Sequence, residues 1–139
     1  MSTWTHVVGA IRVEGLYTVP NRPSEAVKIL GKLFDSPDSD MSLPDGSEGS
    51  LQWDFLQNDD RATEIGVILI WGDLRDYTDV LKIREWFSNV LEFLKDDNNK
   101  IYSRQAVLTA SCENGDYVSF NDEAGWSFMT MGGQKYRRI

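Results

Sequence analysis

The order in which hydrophobic patterns follow one another is the feature that most constrains the fold of this 139-residue chain. Apolar residues that alternate with polar ones indicate half-buried strands, whereas apolar residues three and four positions apart indicate amphipathic helices. One helix is predicted at 24–34, and a second is predicted to begin at Asp76 as N-cap and to end before Lys95. Strands are predicted at 4–13, 51–57, 65–71, 101–112, 117–120 and 126–131.

This order, β-α-β-β-α-β followed by two more strands, predicts an α+β fold. The first six elements match the ferredoxin-like arrangement, an antiparallel sheet with both helices on one face, which a C-terminal β-hairpin then extends. The pair Asn114-Gly115 favours a tight hairpin turn. The continuous apolar run at 65–71 predicts a central strand buried on both faces. The length fits a single domain over 1–139.

The net charge of −8 is confined to one part of the chain. Residues 35–64 hold nine acids and one base, while the charges of all other residues cancel; a short basic tail follows at 134–139. Residues 35–50, the acidic loop, have no helix or strand pattern, and a loop of this kind is either functional or acidic only because it is exposed. Since segregated charge attracts an oppositely charged partner, we expect the following acids to bind a basic protein: Asp38, Asp40, Asp45, Glu48, Asp59 and Asp60.

The residues that common catalytic and metal sites require are scarce. One His and one Cys exclude a disulfide framework and a His/Cys zinc site. The glycines of 46–50 are not followed by the lysine of a phosphate-binding loop. We therefore expect no catalytic residue, no metal and no cofactor; an enzyme that uses only carboxylates is the remaining catalytic alternative.

The segment 72–77, predicted as a charged turn, is a second candidate binding site, because it precedes a helix whose N-terminal N–H groups can bind an anion. Arg75 either bonds neighbouring carboxylates or contacts an anion, with Tyr77 beside it. The second alternative predicts a small-molecule or nucleotide-binding module with Arg75 and Tyr77 as ligand-binding residues. Asp76 as the helix cap would compete with such a ligand.

Aromatic residues recur on the predicted strands. An open sheet face with aromatics is how single-stranded RNA readers stack bases, but phosphate binding needs more basic residues than the strands carry. We therefore predict no direct binding of nucleic acid, and a homodimer or another protein that covers the open sheet face. No apolar run approaches the about 20 residues of a membrane span, and no secretory signal is visible, which predicts a soluble cytoplasmic protein without membrane contact.

Three segments, 4–12, 46–49 and 72–77, together resemble short uncharacterised bacteriophage-encoded proteins. They cover under a quarter of the chain and contain no catalytic signature. The resemblance implies an accessory protein of the host bacterial cytoplasm that inhibits host defence. Anti-CRISPR proteins, which occupy nucleic-acid sites on effectors, are similar in size, charge and lack of catalytic motifs. Sponge proteins, which sequester nucleotide second messengers, are the other group to consider. The leading prediction is a non-catalytic phage-type inhibitor that binds a basic, nucleic-acid-binding host factor; a nucleotide sponge is the alternative.

Overall fold

Five antiparallel strands and two helices make up the part of the chain that a computed structural model describes, residues 2–15, 23–57, 65–95 and 101–122. The α+β class is confirmed. The predicted strand 126–131 and the basic tail lie outside the described residues. The elements are β1 (Trp4–Gly15), α1 (Pro23–Phe34), β2 (Gln52–Gln57), β3 (Ile65–Arg75), α2 (Val80–Phe93), β4 (Ile101–Cys112) and β5 (Tyr117–Asp122).

The central strand is β1, and the order across the sheet is β2-β3-β1-β4-β5. The prediction that 65–71 forms the central strand was therefore wrong, since β3 lies one position from the edge. The prediction that this strand is buried on both faces was also wrong, because Trp71 is 40% exposed on the side away from the helices. Its apolar run reflects burial on one face and an uncovered apolar surface on the other.

One hydrophobic core joins the two helices to one face of the sheet. Alternate strand residues face this core, as expected for a sheet covered on one side. The rings of Phe34 in α1 and Trp86 in α2 have centroids 6.1 Å apart, so both helices contribute to the same layer. The strand residues in this core are Val7, Ile11, Val13, Ile68, Ile70, Leu74, Ala106, Leu108, Ala110, Cys112 and Val118.

The junction between β3 and α2 differs from the prediction. The strand continues to Arg75, which pairs with Trp4, so 72–75 is strand and not turn. The N-cap of α2 is Asp79, whose carboxylate accepts a hydrogen bond from the backbone N–H of Lys82. Asp76 is not the cap, because its backbone has a positive φ of 57° and its carboxylate bonds elsewhere. Neither described helix has the length and apolar character needed to cross a membrane.

Candidate functional site

Two tryptophans hold the acidic loop against the core. The indole N–H of Trp53 donates to Oδ1 of Asp35 over 2.9 Å, and that of Trp86 donates to the carbonyl oxygen of Met41, also over 2.9 Å. The ring of Phe34 lies between the two indoles, 5.5 Å from Trp53 by centroid. Met41 also packs against the core. The loop is therefore held against the core at Asp35 and at Met41.

The tip of the loop, residues 46–49, docks on the end of β3. The backbone N–H of Ser47 donates to the carbonyl of Arg75 over 2.9 Å, and that of Arg75 donates to the carbonyl of Glu48 over 3.0 Å. Gly49 has a φ of 77°, and a Cβ placed there would lie 2.2 Å from the carbonyl oxygen of Asp73. The glycines of this segment thus allow two backbones to approach closely.

The guanidinium of Arg75 bonds within the chain. Its Nη1 donates to a carboxylate oxygen of Glu48, and its Nε donates to the hydroxyl of Ser2 over 2.9 Å. An anion at Arg75 would have to displace the Glu48 carboxylate, so the anion-binding role of Arg75 stays a prediction. Tyr77 lies beside it but packs half-buried against the core, and burial, followed by the charge of Asp79, raises the pKa of its hydroxyl.

Asp76 closes the same junction from the other side. Its Oδ1 accepts from the backbone N–H of Thr3 over 3.3 Å, and its Oδ2 accepts from the hydroxyl of Ser47 over 3.0 Å. The bond from Thr3, followed by that from Ser47, lowers the pKa of Asp76 below its usual value. The carboxylate therefore ties the N-terminal strand to the loop tip and does not face a ligand.

The acids predicted to bind a partner fall into three groups. Asp38, Asp40 and Asp45 are exposed on the acidic loop or partly so. Glu48 is also exposed but forms the ion pair with Arg75. Asp59 and Asp60 lie outside the described residues, so their role stays a prediction. The structure thus leaves three of the six available to a partner within the described part of the loop.

A groove lies between the acidic loop and α2, and its volume is about 400 Å³. Asp40 and Met41 of the loop form one side, and Asn89, Glu92 and Phe93 of α2 form the other. We call it the acidic groove. Its carboxylates and amide oxygen can accept hydrogen bonds from a cationic group, and Met41 and Phe93 offer an apolar surface to the alkyl stem of a lysine or arginine.

Sequence reasoning missed the helix side of this groove. Asn89 and Glu92 are three positions apart on α2 and therefore share a face, a spacing that the sequence does show. Nothing in the sequence indicates that the acidic loop would lie against that face, because the contact is made by tertiary packing at Trp86.

A second polar cluster lies where β1, β3 and the β4–β5 turn meet. Nδ1 of His6 is 2.5 Å from Oδ1 of Asp73, and its Nε2 is 3.8 Å from Oε2 of Glu113. The hydrogen bond to Asp73 raises the pKa of His6 above 6.5. No serine, threonine or cysteine side chain of the described residues is hydrogen-bonded to His6, so this cluster is not a nucleophile–base pair.

We expect the pKa of the His6 imidazole to be lower in Asp73→Asn than in the wild type, because the substitution removes the carboxylate whose hydrogen bond and charge favour the protonated ring. A raised folded-state pKa contributes stability below pH 6.5, and this contribution is lost as pH rises through the folded pKa. The only His gives one NMR signal to follow. Equal pKa values of His6 in the wild type and in Asp73→Asn would contradict the hydrogen bond between these two side chains.

No match was found between this chain and known proteins. No family model matches it. Searches of the curated proteins and of the solved structures also gave no match. The resemblance to bacteriophage-encoded proteins therefore stays a prediction. The three segments that carry it are adjacent in the fold, since Trp4 pairs with Arg75, and Arg75 bonds Ser47 and Glu48 of the loop tip.

Proposed function

We propose that this chain is a non-catalytic interaction protein that binds a basic segment of a partner protein through an acidic surface. Asp40 of the acidic loop and Glu92 of α2 line the acidic groove, and Asp38 and Asp45 are exposed on the same loop. The observation that carries the proposal is the acidic groove, where a fixed loop and a helix place two carboxylates beside apolar side chains. Carboxylates on a mobile loop would lack this arrangement.

The exposure of these carboxylates sets the kind of binding that we expect. An exposed ion pair contributes at most about 1 kcal/mol, and salt screens it. Affinity therefore requires several such pairs at once, together with burial of the alkyl stem of a basic residue against Met41 and Phe93. A concentrated negative field also raises the association rate, so that binding should weaken steeply with salt.

The resemblance to bacteriophage-encoded proteins suggests a class for the proposed partner, the nucleic-acid-binding effectors of host defence. A host-defence effector exposes a basic surface to hold nucleic acid, and an acidic inhibitor that occupies this surface would compete with phosphates. DNA cleavage by a purified RNA-guided nuclease, measured with and without the chain, tests this role. Unchanged DNA cleavage at a saturating concentration of this chain would contradict the inhibition of a defence effector. The binding of basic segments would then be tested separately.

The ferredoxin-like assignment is part of the same proposal. The strand order β2-β3-β1-β4 supports it, because each helix connects two parallel strands that have a third strand between them. The fold hosts binding modules and enzymes alike, so the functional proposal rests on the acidic groove and not on the fold.

The nucleotide-binding alternative has less support in the geometry, since Arg75 already bonds Glu48 and Ser2. A thermal-shift screen with nucleotides and cyclic dinucleotides tests it. A ligand at about 100 times its Kd would add roughly 2.7 kcal/mol of stability. Such a shift, lost in Arg75→Ala, would favour the alternative over the acidic surface. Turnover of a nucleotide in the same samples would favour the third hypothesis, an enzyme that uses only carboxylates.

Neutralising the acidic groove tests the leading proposal. We expect Asp40→Asn with Glu92→Gln to weaken binding of fluorescein-labelled decalysine about tenfold at about 50 mM salt, because two charge contacts are lost. The readout is fluorescence anisotropy at about 50 and 200 mM salt. The matched control is Glu113→Gln with Asp116→Asn in the β4–β5 turn, which changes the net charge equally and should weaken binding less than twofold. Equal weakening by both pairs would show that only net charge matters.

A further inference from the structure

The face of the sheet away from the helices, which we call the open face, carries a continuous apolar patch. Val8 is 60% exposed, Leu56 51%, Val107 43% and Trp71 40%. The pairing register makes these residues neighbours: Val8 lies opposite Trp71, Leu56 opposite Val67, and Ala10 opposite both Leu69 and Val107. Cross-strand partners have Cβ atoms about 5 Å apart, so the apolar side chains form one patch.

The whole face that carries this patch is large enough to form a stable interface. Strand spacing and rise give the five strands a face of roughly 770 Å². A standard protein interface buries about 800 Å² on each partner. The apolar patch occupies part of this face, and an exposed apolar patch with a polar rim marks an interaction site. Both described helices pack on the other face, so among the described residues no second layer covers the open face.

Two charges beside the patch, Arg12 and Asp54, form a self-complementary pair. Arg12 is exposed on β1 opposite Val67, and Asp54 is exposed on β2 opposite Leu69. No ion pair joins either of them to another described residue. In a two-fold interface the same surface is used by both copies, and residue i of one copy meets residue j of the other in both directions. One cation and one anion beside a shared apolar patch satisfy this condition.

We propose that a second copy of this chain covers the open face, with the apolar patches stacked as two sheets and Arg12 of each copy facing Asp54 of the other. This proposal goes beyond the acidic surface and does not depend on it. The acidic groove lies on the helix side of the sheet, so dimerisation leaves one groove exposed on each copy. A dimer would therefore present two acidic grooves and bind a partner with two basic segments more tightly than one groove can.

A charge-exchange experiment on the full chain tests the proposal. Sedimentation equilibrium of the wild type is expected to show a dimer at micromolar concentration. Arg12→Asp and Asp54→Arg should each raise the dimer dissociation constant at least tenfold, because like charges then meet across the interface. An equimolar mixture of the two variants should recover dimers, since each variant then supplies the charge that the other lacks. An ion pair within one chain would not produce this recovery.

Lys82→Asp and Glu85→Arg, both exposed on α2, are the matched controls and should dimerise like the wild type. Circular dichroism of every variant checks that the fold is retained. A wild type that stays monomeric at about 200 μM, variants that dimerise as tightly as the wild type, or a mixture that fails to recover dimers would each overturn the proposal. A monomer would leave the open face to residues 123–139 or to a different protein.

Discussion

Replacement of Gly49 by alanine is expected to lower the free energy of unfolding by about 2–4 kcal/mol, one of the largest effects that a single methyl group can have in this chain. Two costs add. The φ of 77° is a conformation that non-glycine residues adopt at a cost of about 1 kcal/mol or more, and the new Cβ would lie 2.2 Å from the carbonyl oxygen of Asp73. The clash forces the loop tip away from β3 and breaks its backbone bonds to Arg75.

Alanine substitutions at two other glycines separate the cost of the backbone conformation from the cost of the clash. Gly115 has a φ of 104°, but a methyl group placed on it would have no neighbour within 4 Å, so Gly115→Ala should cost only the conformational strain, about 1 kcal/mol. Gly31 lies inside α1 with open space around it, so Gly31→Ala should stabilise the protein by about 0.5–1 kcal/mol. Urea unfolding of the three variants gives the comparison. Equal losses for Gly49→Ala and Gly115→Ala would contradict the docking of the loop tip.

Truncation of Trp86 to alanine is expected to cost about 3–5 kcal/mol and to abolish decalysine binding at the acidic groove. The ring is buried between Phe34 and Phe87, with centroids 6.1 and 6.3 Å away, and its N–H holds the carbonyl of Met41. Loss of this side chain leaves a cavity in the core and releases the loop residue that forms one side of the groove.

Trp86→Phe distinguishes the two contributions of this side chain. The substitution keeps an aromatic ring in the core but removes the donor to Met41, so we expect a loss of about 1–2 kcal/mol. Decalysine binding should fall severalfold, because the loop loses one of its two indole anchors while the core is retained. Urea unfolding and fluorescence anisotropy measure the two effects. Unchanged binding in Trp86→Phe would show that the hydrogen bond does not position the loop.

Much of the fold follows from local pattern, and the exceptions have physical causes. The helical spacing of α1 and the Asn114-Gly115 turn placed these elements within a few residues of their observed bounds. The end of β3 was missed because Asp73 and Arg75 are charged, which is typical of a turn. In the structure both residues lie on the open face, where His6 and Glu48 bond them. Charge in a strand was thus compatible with a sheet that is covered on one side only.

The candidate site was predictable only in part. The acidic loop was visible in the sequence because nine acids cluster in 35–64. Its fixed path was not visible, because the bonds from Trp53 and Trp86 join residues 18 and 45 positions apart. Glu92 entered the site only through this packing. Sequence patterns specify local structure, whereas a groove between a loop and a helix depends on tertiary contacts.

We propose that the acidic groove, and not the net charge, binds basic segments. The most direct measurement is an NMR titration of the ¹⁵N-labelled chain with decalysine, which reports the position of the bound peptide residue by residue. We expect the largest amide shifts at the residues that line the groove, Asp40, Met41, Asn89, Glu92 and Phe93. The largest shifts at the β4–β5 turn or on the open face, or small shifts spread evenly over all exposed acids, would contradict it.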